Sequence, residues 1–147
     1  MPTPGRVAAR LEIARTGATR MFVSYDHDND RLYRRLLEAW NANREFELDF
    51  SDSSTGFSPG GLDEALLKRS VAAKIDAADI FLCLVGTHTH ACPWVAWEIG
   101  HAFALGKEIV AVKVDSANAT PPALIEAGAR WAMSFTLDSI RRAGRPE

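Results

Sequence analysis

From residue 20 onward, short apolar runs alternate with longer segments whose apolar residues recur at helical spacing. That pattern predicts a parallel sheet covered by helices on both faces. MFVSY (21–25) reads as the first strand, with DHDND at its C-terminal end. Asp28 or Asn29 is placed to cap a helix over 30–43, in which Leu32, Leu36, Leu37 and Trp40 recur at i, i+4, i+5 and i+8. FELDFS (46–51) is the second strand, and SSTGFSPGG (53–61) is a loop of turn formers. Asp63 and Glu64 then open a helix whose buried stripe is Leu67, Val71 and Ile75. IFLCLVG (80–86) is apolar almost throughout, so it is expected to be the central strand, covered on both faces. After THTHACP, a helix over 94–105 ends at Gly106, a residue suited to a left-handed cap. EIVAVKV (108–114) is the fourth strand; Pro121 and Pro122 lead through a short helix to RWAM (130–133), the fifth, and a helix over 137–143 follows.

Five parallel strands with right-handed crossovers give a flavodoxin-like, doubly wound α/β domain over residues 20–147. Residues 1–19 differ in character: Arg6, Arg10 and Arg15 stand among small residues, with prolines and glycines that oppose a stable helix. They are expected to form a flexible N-terminal extension. Ligands of doubly wound sheets bind beyond the carboxyl ends of the strands, and those ends are occupied by Asp26, Asp52 and Thr87.

The composition narrows the function classes. A chain of 147 residues with 47% hydrophobic residues is one globular domain with a sizeable core. A formal net charge of -2 gives no electrostatic basis for sequence-independent binding to nucleic acid or an anionic membrane. No apolar stretch approaches the roughly 20 residues of a membrane span, and the N-terminus lacks a secretory apolar core. Cys83 and Cys92 form no close-spaced pair, so a reducing cytoplasm is the expected location.

Several site chemistries can be tested against their residue requirements. The acidic string 26–30 imitates a calcium loop, but Arg31 and Leu37 stand where Gly and the bidentate Glu are needed. His88, His90 and Cys92, with His101, are candidate zinc ligands without a supporting cysteine pair, and the ligand set of a flavin is incomplete as well, so neither a metal nor a flavin is expected. Gly86 and Thr87 occupy the place of a receiver's phosphoacceptor aspartate, and three carboxylates stand where a flavodoxin cradles its phosphate. Neither a Gly-x-Gly-x-x-Gly nor a P-loop occurs. What remains is the helix PWVAWEIGHAFALG (93–106). Val95, Ile99, Ala102 and Phe103 form a sheet-facing stripe, and Trp94, Glu98, His101 and Leu105 a second row beside it. Glu98 therefore lies near the strand ends, either as a functional carboxylate or as an exposed partner of His101.

The succession MFVSYDHDND, FSDSSTGFSPGG, IFLCLVGTHTH and WVAWEIGHAFALGKEIVAV resembles TIR-like domains, most closely those of the Thoeris anti-phage system. The similarity runs from residue 21 to about residue 115, and Trp94-Val95-x-x-Glu98-Ile99 is its most specific part. The resemblance implies an enzyme that cleaves the nicotinamide–ribose bond of NAD and makes a cyclic or modified ADP-ribose signal for a separate effector. NAD would be its substrate and no cofactor would be needed. The catalytic glutamate would be Glu98, with Trp94 stacking on a substrate ring or bracing the helix, and Ser24, Tyr25, Asp26 and Asp52 offering ribose or amide contacts. No clear Arg-Asp precedes the Pro-Gly of the 53–61 loop, and the N-terminal extension matches nothing in the family. Two alternatives stay open: a non-catalytic, self-associating TIR-like module, and an enzyme resembling nucleoside deoxyribosyltransferases.

Overall fold

The computed structural model describes residues 18–51 and 62–144. The chain runs β1 (Thr19–Ser24), α1 (Arg31–Trp40), β2 (Phe46–Phe50), α2 (Leu62–Ala77), β3 (Ile80–Val85), a 3-10 turn (Thr89–Ala91), α3 (Pro93–Ala104), β4 (Glu108–Lys113), α4 (Pro122–Ala127), β5 (Arg130–Trp131) and α5 (Leu137–Ala143). The strands form one five-stranded parallel sheet in the order β2-β1-β3-β4-β5, the doubly wound topology expected from the alternating pattern. Among the described residues, no helix is long and apolar enough to cross a membrane.

Alternation along the strands divides the core into two layers. Met21, Val23, Tyr25, Leu82, Leu84, Val110 and Val112 face α1 and α5, where Leu37 and Ile140 are fully buried. Phe22, Phe81, Cys83, Val85 and Ala111 face the other side, against Val71 and Ile75 of α2, Val95, Ile99 and Ala102 of α3, and Leu124 of α4. Every residue of β3 is buried, as its unbroken apolar run predicts for a central strand. α3 ends in a Schellman arrangement: Gly106 takes φ 73°, its N–H reaches the Phe103 carbonyl, and the Lys107 N–H reaches that of Ala102.

Two expected stripes are narrower than the spacing suggests. On α1 only Leu37 is fully buried, whereas Leu32 is 61% exposed. Part of the cover that a wider stripe would give comes from side chains lying across the layer: the Arg34 guanidinium sits 4.3 Å from the Phe50 ring centre, and Trp40 packs on Phe135 at 4.9 Å between centroids. On α3 Phe103 is 57% exposed, because it sits about 80° around the helix from Val95.

The carboxyl end of β3 is set by a close approach. A Cβ on Gly86 would lie 2.1 Å from Oδ2 of Asp30, whose carboxylate occupies that space. Gly86→Ala is therefore expected to destabilise the fold by about 1–3 kcal/mol, the usual range for overpacking. In an Asp30→Ala background the same change should cost much less, and a denaturant double-mutant cycle measures the difference. Additive costs would show that the crowding is not what Gly86 relieves.

Candidate active site

The site forms where β1 and β2 end. Because Val23 and Tyr25 point toward α1 and α5, Ser24 between them points toward α2 and α3. β1 and β2 pair with Val23 opposite Phe50, and the Ser51 N–H donates to the Val23 carbonyl at 2.9 Å. Ser51 thus ends β2 at the level of Ser24 and on the same face. Glu98 descends onto this pair from α3, between the buried Val95 and Ile99.

Glu98 is fully buried. Ser24 Oγ donates to its Oε1 at 2.6 Å, Ser51 Oγ to its Oε2 at 2.6 Å, and Trp94 Nε1 to Oε2 at 2.8 Å from one helical turn earlier. Burial pushes the Glu98 carboxyl up to about 8, while the hydrogen bonds from Ser24 and Ser51 pull it down. An acid held in this balance, at the carboxyl edge of a doubly wound sheet, suits proton transfer or stabilisation of positive charge.

A second group of carboxylates, Asp26 and Asp30, lies in the loop that follows β1. Asp26 follows β1 and is nearly buried; its backbone carbonyl accepts from the Asp30 N–H at 2.8 Å, and its Oδ2 from Asn29 Nδ2 at 2.7 Å. Asp30 is also buried, with Thr89 Oγ1 at 3.5 Å from its Oδ2, and the Gly86 N–H donates to that same Thr89 oxygen at 2.8 Å. Burial, and then the neighbouring Asp26, raises the Asp30 carboxyl above the usual carboxylate range. Burial likewise raises the Cys92 thiol at the start of α3, with a smaller contribution from Asp26.

The residues expected from sequence are only partly brought together. Ser24, Trp94 and Glu98 meet directly, and Asp26 lies at the same end of the sheet. Tyr25 goes to the opposite layer, where its hydroxyl accepts from Arg34 Nη1 at 3.1 Å and its ring meets Phe50 edge-on at 6.1 Å. Asp52 and the 53–61 loop lie outside the described residues. His101 stacks on Trp97 at 5.3 Å rather than pairing with an exposed Glu98, and Trp97 in turn lies 5.4 Å from Trp94. Among the described residues, no group of three or more His, Cys, Asp or Glu is placed to hold a metal ion. Sequence reasoning missed Ser51 and Asp30. Strand parity carried a signal for Ser51, which ends FELDFS as Ser24 ends MFVS; for Asp30 the signal was Gly86, a residue that leaves room for a close neighbour.

A family model described as Thoeris protein ThsB, TIR-like domain, matches residues 22–119, and the chain belongs to that family. No curated protein matches it in sequence. Solved structures share its fold at low identity. A 2-deoxyribosyltransferase from Bacillus psychrosaccharolyticus aligns with a TM-score of 0.58 at 12% identity, over 88% of this chain and 93% of that one. A CMP N-glycosidase from Clostridium botulinum aligns with a TM-score of 0.57 at 18% identity, over 84% and 96% of the two chains. A conserved protein from Enterococcus faecalis V583 aligns with a TM-score of 0.53 at 20% identity, over 67% of this chain and 65% of its own.

The electrostatics of Glu98 have a consequence for stability. Its folded value lies above that of an unfolded glutamate, so between pH about 4.5 and about 8 the folded chain keeps a proton that the unfolded chain releases. Stability due to this group is complete below that window and is lost as pH rises through it. Glu98→Gln fits the same cradle, since a serine hydroxyl can accept from the amide nitrogen, and it does not titrate. The melting temperature of the wild type should therefore fall more between pH 5 and pH 8 than that of Glu98→Gln. Parallel curves would remove the buried-acid assignment.

Proposed function

We propose that this member of the Thoeris TIR-like family cleaves the nicotinamide–ribose bond of NAD, with Glu98 as the catalytic carboxylate. The observation that carries the reading is a fully buried glutamate, oriented by three donors, at the ligand-binding edge of the sheet. Nicotinamide is a cationic leaving group: it departs with the electron pair of the C–N bond as a neutral molecule, and needs no proton. The positive charge then rests on the ribose as an oxocarbenium-like centre. An ionised Glu98 stabilises that charge and orders the ribose hydroxyls, as carboxylates do in glycoside cleavage. Attack at C1′ by water, by a hydroxyl or ring nitrogen of the same nucleotide, or by another molecule completes the reaction and releases a proton. The acceptor decides whether the product is ADP-ribose, a cyclic form or a conjugate; a cyclic or modified form would serve as the diffusible signal to a separate effector.

Reaching Glu98 requires an exchange of donors. Ser24 and Ser51 are buried at strand ends, whereas Trp94 is half-buried in the first turn of α3. A ribose hydroxyl would take over the hydrogen bond from Trp94, leaving the indole to stack on a substrate ring. Asp26, just beyond the carboxyl end of β1, is suited to attract the cationic nicotinamide riboside.

A second reading is favoured by the raised carboxyl of Glu98. An uncharged nucleobase leaves a sugar more readily once protonated, and a glutamic acid that stays neutral up to about pH 8 is a source for that proton. The fold relatives described as a deoxyribosyltransferase and a CMP N-glycosidase bear names that fit such chemistry. The third possibility, a self-associating module without turnover, leaves Glu98 a structural role.

Purified protein incubated with NAD and, separately, with nucleosides, followed by mass spectrometry, distinguishes the three. NAD cleavage is expected, with loss of at least about 100-fold in Glu98→Gln, a range typical of removing one group that stabilises transition-state charge. Its rate should rise with pH toward a plateau above about 8, because the ionised carboxylate does the work. A nucleoside-cleaving rate that falls through the same pH range would favour the second reading, and equal turnover by wild type and Glu98→Gln would falsify the catalytic assignment. Asp26→Asn should raise KM for NAD with little change in melting temperature; an unchanged KM would leave Asp26 as a turn former alone.

A further inference from the structure

We propose that Ser51 and Ser24 act together as positioning residues, a two-hydroxyl clamp that orients the Glu98 carboxyl group and favours its ionised form against the effect of burial; the inference rests on Glu98 being the catalytic group. The two serines occupy equivalent positions on neighbouring parallel strands, one residue beyond the paired Val23 and Phe50. Each gives its hydroxyl to a different oxygen of Glu98, at the same 2.6 Å. Two donors on two oxygens fix the plane of the carboxyl group as well as its position, which a single bond would not. A serine hydroxyl carries one proton, so both bonds are made together only when both glutamate oxygens accept. Protonating Glu98 obliges one hydroxyl to turn round or lose its partner, so the clamp favours the charged form.

Burial makes these hydroxyls matter. Ser24 is 0% and Ser51 1% exposed, and a carboxylate deprived of one donor there cannot recover it from bulk water. The backbone role of Ser51 is separable from its side chain, because the N–H that donates to Val23 survives in any non-proline substitution. A merely structural serine at a strand end would affect stability without moving the titration of Glu98.

The test uses Ser51→Ala, with Ser51→Thr as the variant that restores the hydroxyl. In protein labelled with 13C at glutamate carboxyls, the Glu98 resonance is assigned by its loss in Glu98→Gln and followed against pH. Ser51→Ala should move the midpoint up by about one unit or more, and Ser51→Thr should return it toward the wild-type value. The alkaline rise of kcat for NAD cleavage should shift by the same amount, so that kcat at pH 7 drops about tenfold or more while KM changes little. Should Ser51→Ala fail to fold, Ser24→Ala is read in the same way, since the clamp predicts the same upward shift from either hydroxyl. A midpoint that stays at the wild-type value in the folded alanine variant overturns the proposal. If the midpoint moves but neither wild type nor variant turns over NAD, the clamp stands and the NAD reading falls.

Discussion

A carboxylate with no exposed surface imposes conditions on everything around it. Removing such a charge from water costs several kcal/mol even after relaxation, and donors must replace the lost solvation if it is to ionise. Glu98 meets that condition with groups from three elements: Ser24 at the end of β1, Ser51 at the end of β2, and Trp94 one turn back along α3. The geometry succeeds only if β1 and β2 end at the same level, which the Val23–Phe50 register provides, and if α3 crosses the sheet so that Val95 and Ile99 anchor it on either side of the glutamate. Local packing and local chemistry are therefore fixed by the same contacts. A slip of one residue in β2 would bury Ser51 in the opposite layer and leave Glu98 short of a donor.

The same logic extends along the carboxyl edge of the sheet. The residues that close β1, β2 and β3 on this side are Ser24, Ser51 and Gly86, all small. Small residues let acids approach the backbone closely. Glu98 comes down on the two serines, and Asp30 occupies the space that a side chain at position 86 would fill. Thr89, in the turn before α3, connects the Gly86 N–H to Asp30 and so ties the third strand end to the acidic loop after the first. The edge is therefore acidic and crowded, with Glu98, Asp26 and Asp30 all buried along it.

Much of this was legible in the sequence, and the exceptions have physical causes. IFLCLVG had to be a central strand because nothing in it could face water, and the alternation of strands and helices implied the doubly wound sheet. Glu98 could be placed near the strand ends from the Trp94-x-x-x-Glu98 spacing. Its complete burial could not, because amphipathic reasoning assigns glutamate to solvent unless donors are already known to wait for it. Tyr25 and Ser24 were grouped as neighbours in sequence, yet adjacent residues of a strand face opposite layers, and the tyrosine belongs to the core with Phe50 and Arg34. Ser51 was overlooked beside the more conspicuous Asp52, although the parity that directs Ser24 toward α3 applies equally to the residue ending β2.

Full satisfaction of Glu98 also bears on how the site would be kept quiet. With Ser24, Ser51 and Trp94 packed on it, the carboxyl group is covered, so the resting arrangement offers it no open face for a substrate. A ligand that simply pushed Trp94 aside would leave a buried oxygen short of a hydrogen bond, at a cost of about 1–3 kcal/mol. A ribose differs, because its hydroxyls can supply the bond that the indole N–H gives up. On the proposed reading, the substrate group that Glu98 acts upon is thus also the one that can open the site without a net loss of hydrogen bonds. Such coupling would favour a sugar with free hydroxyls over apolar or fully substituted ligands, and would hold turnover low until that sugar is seated.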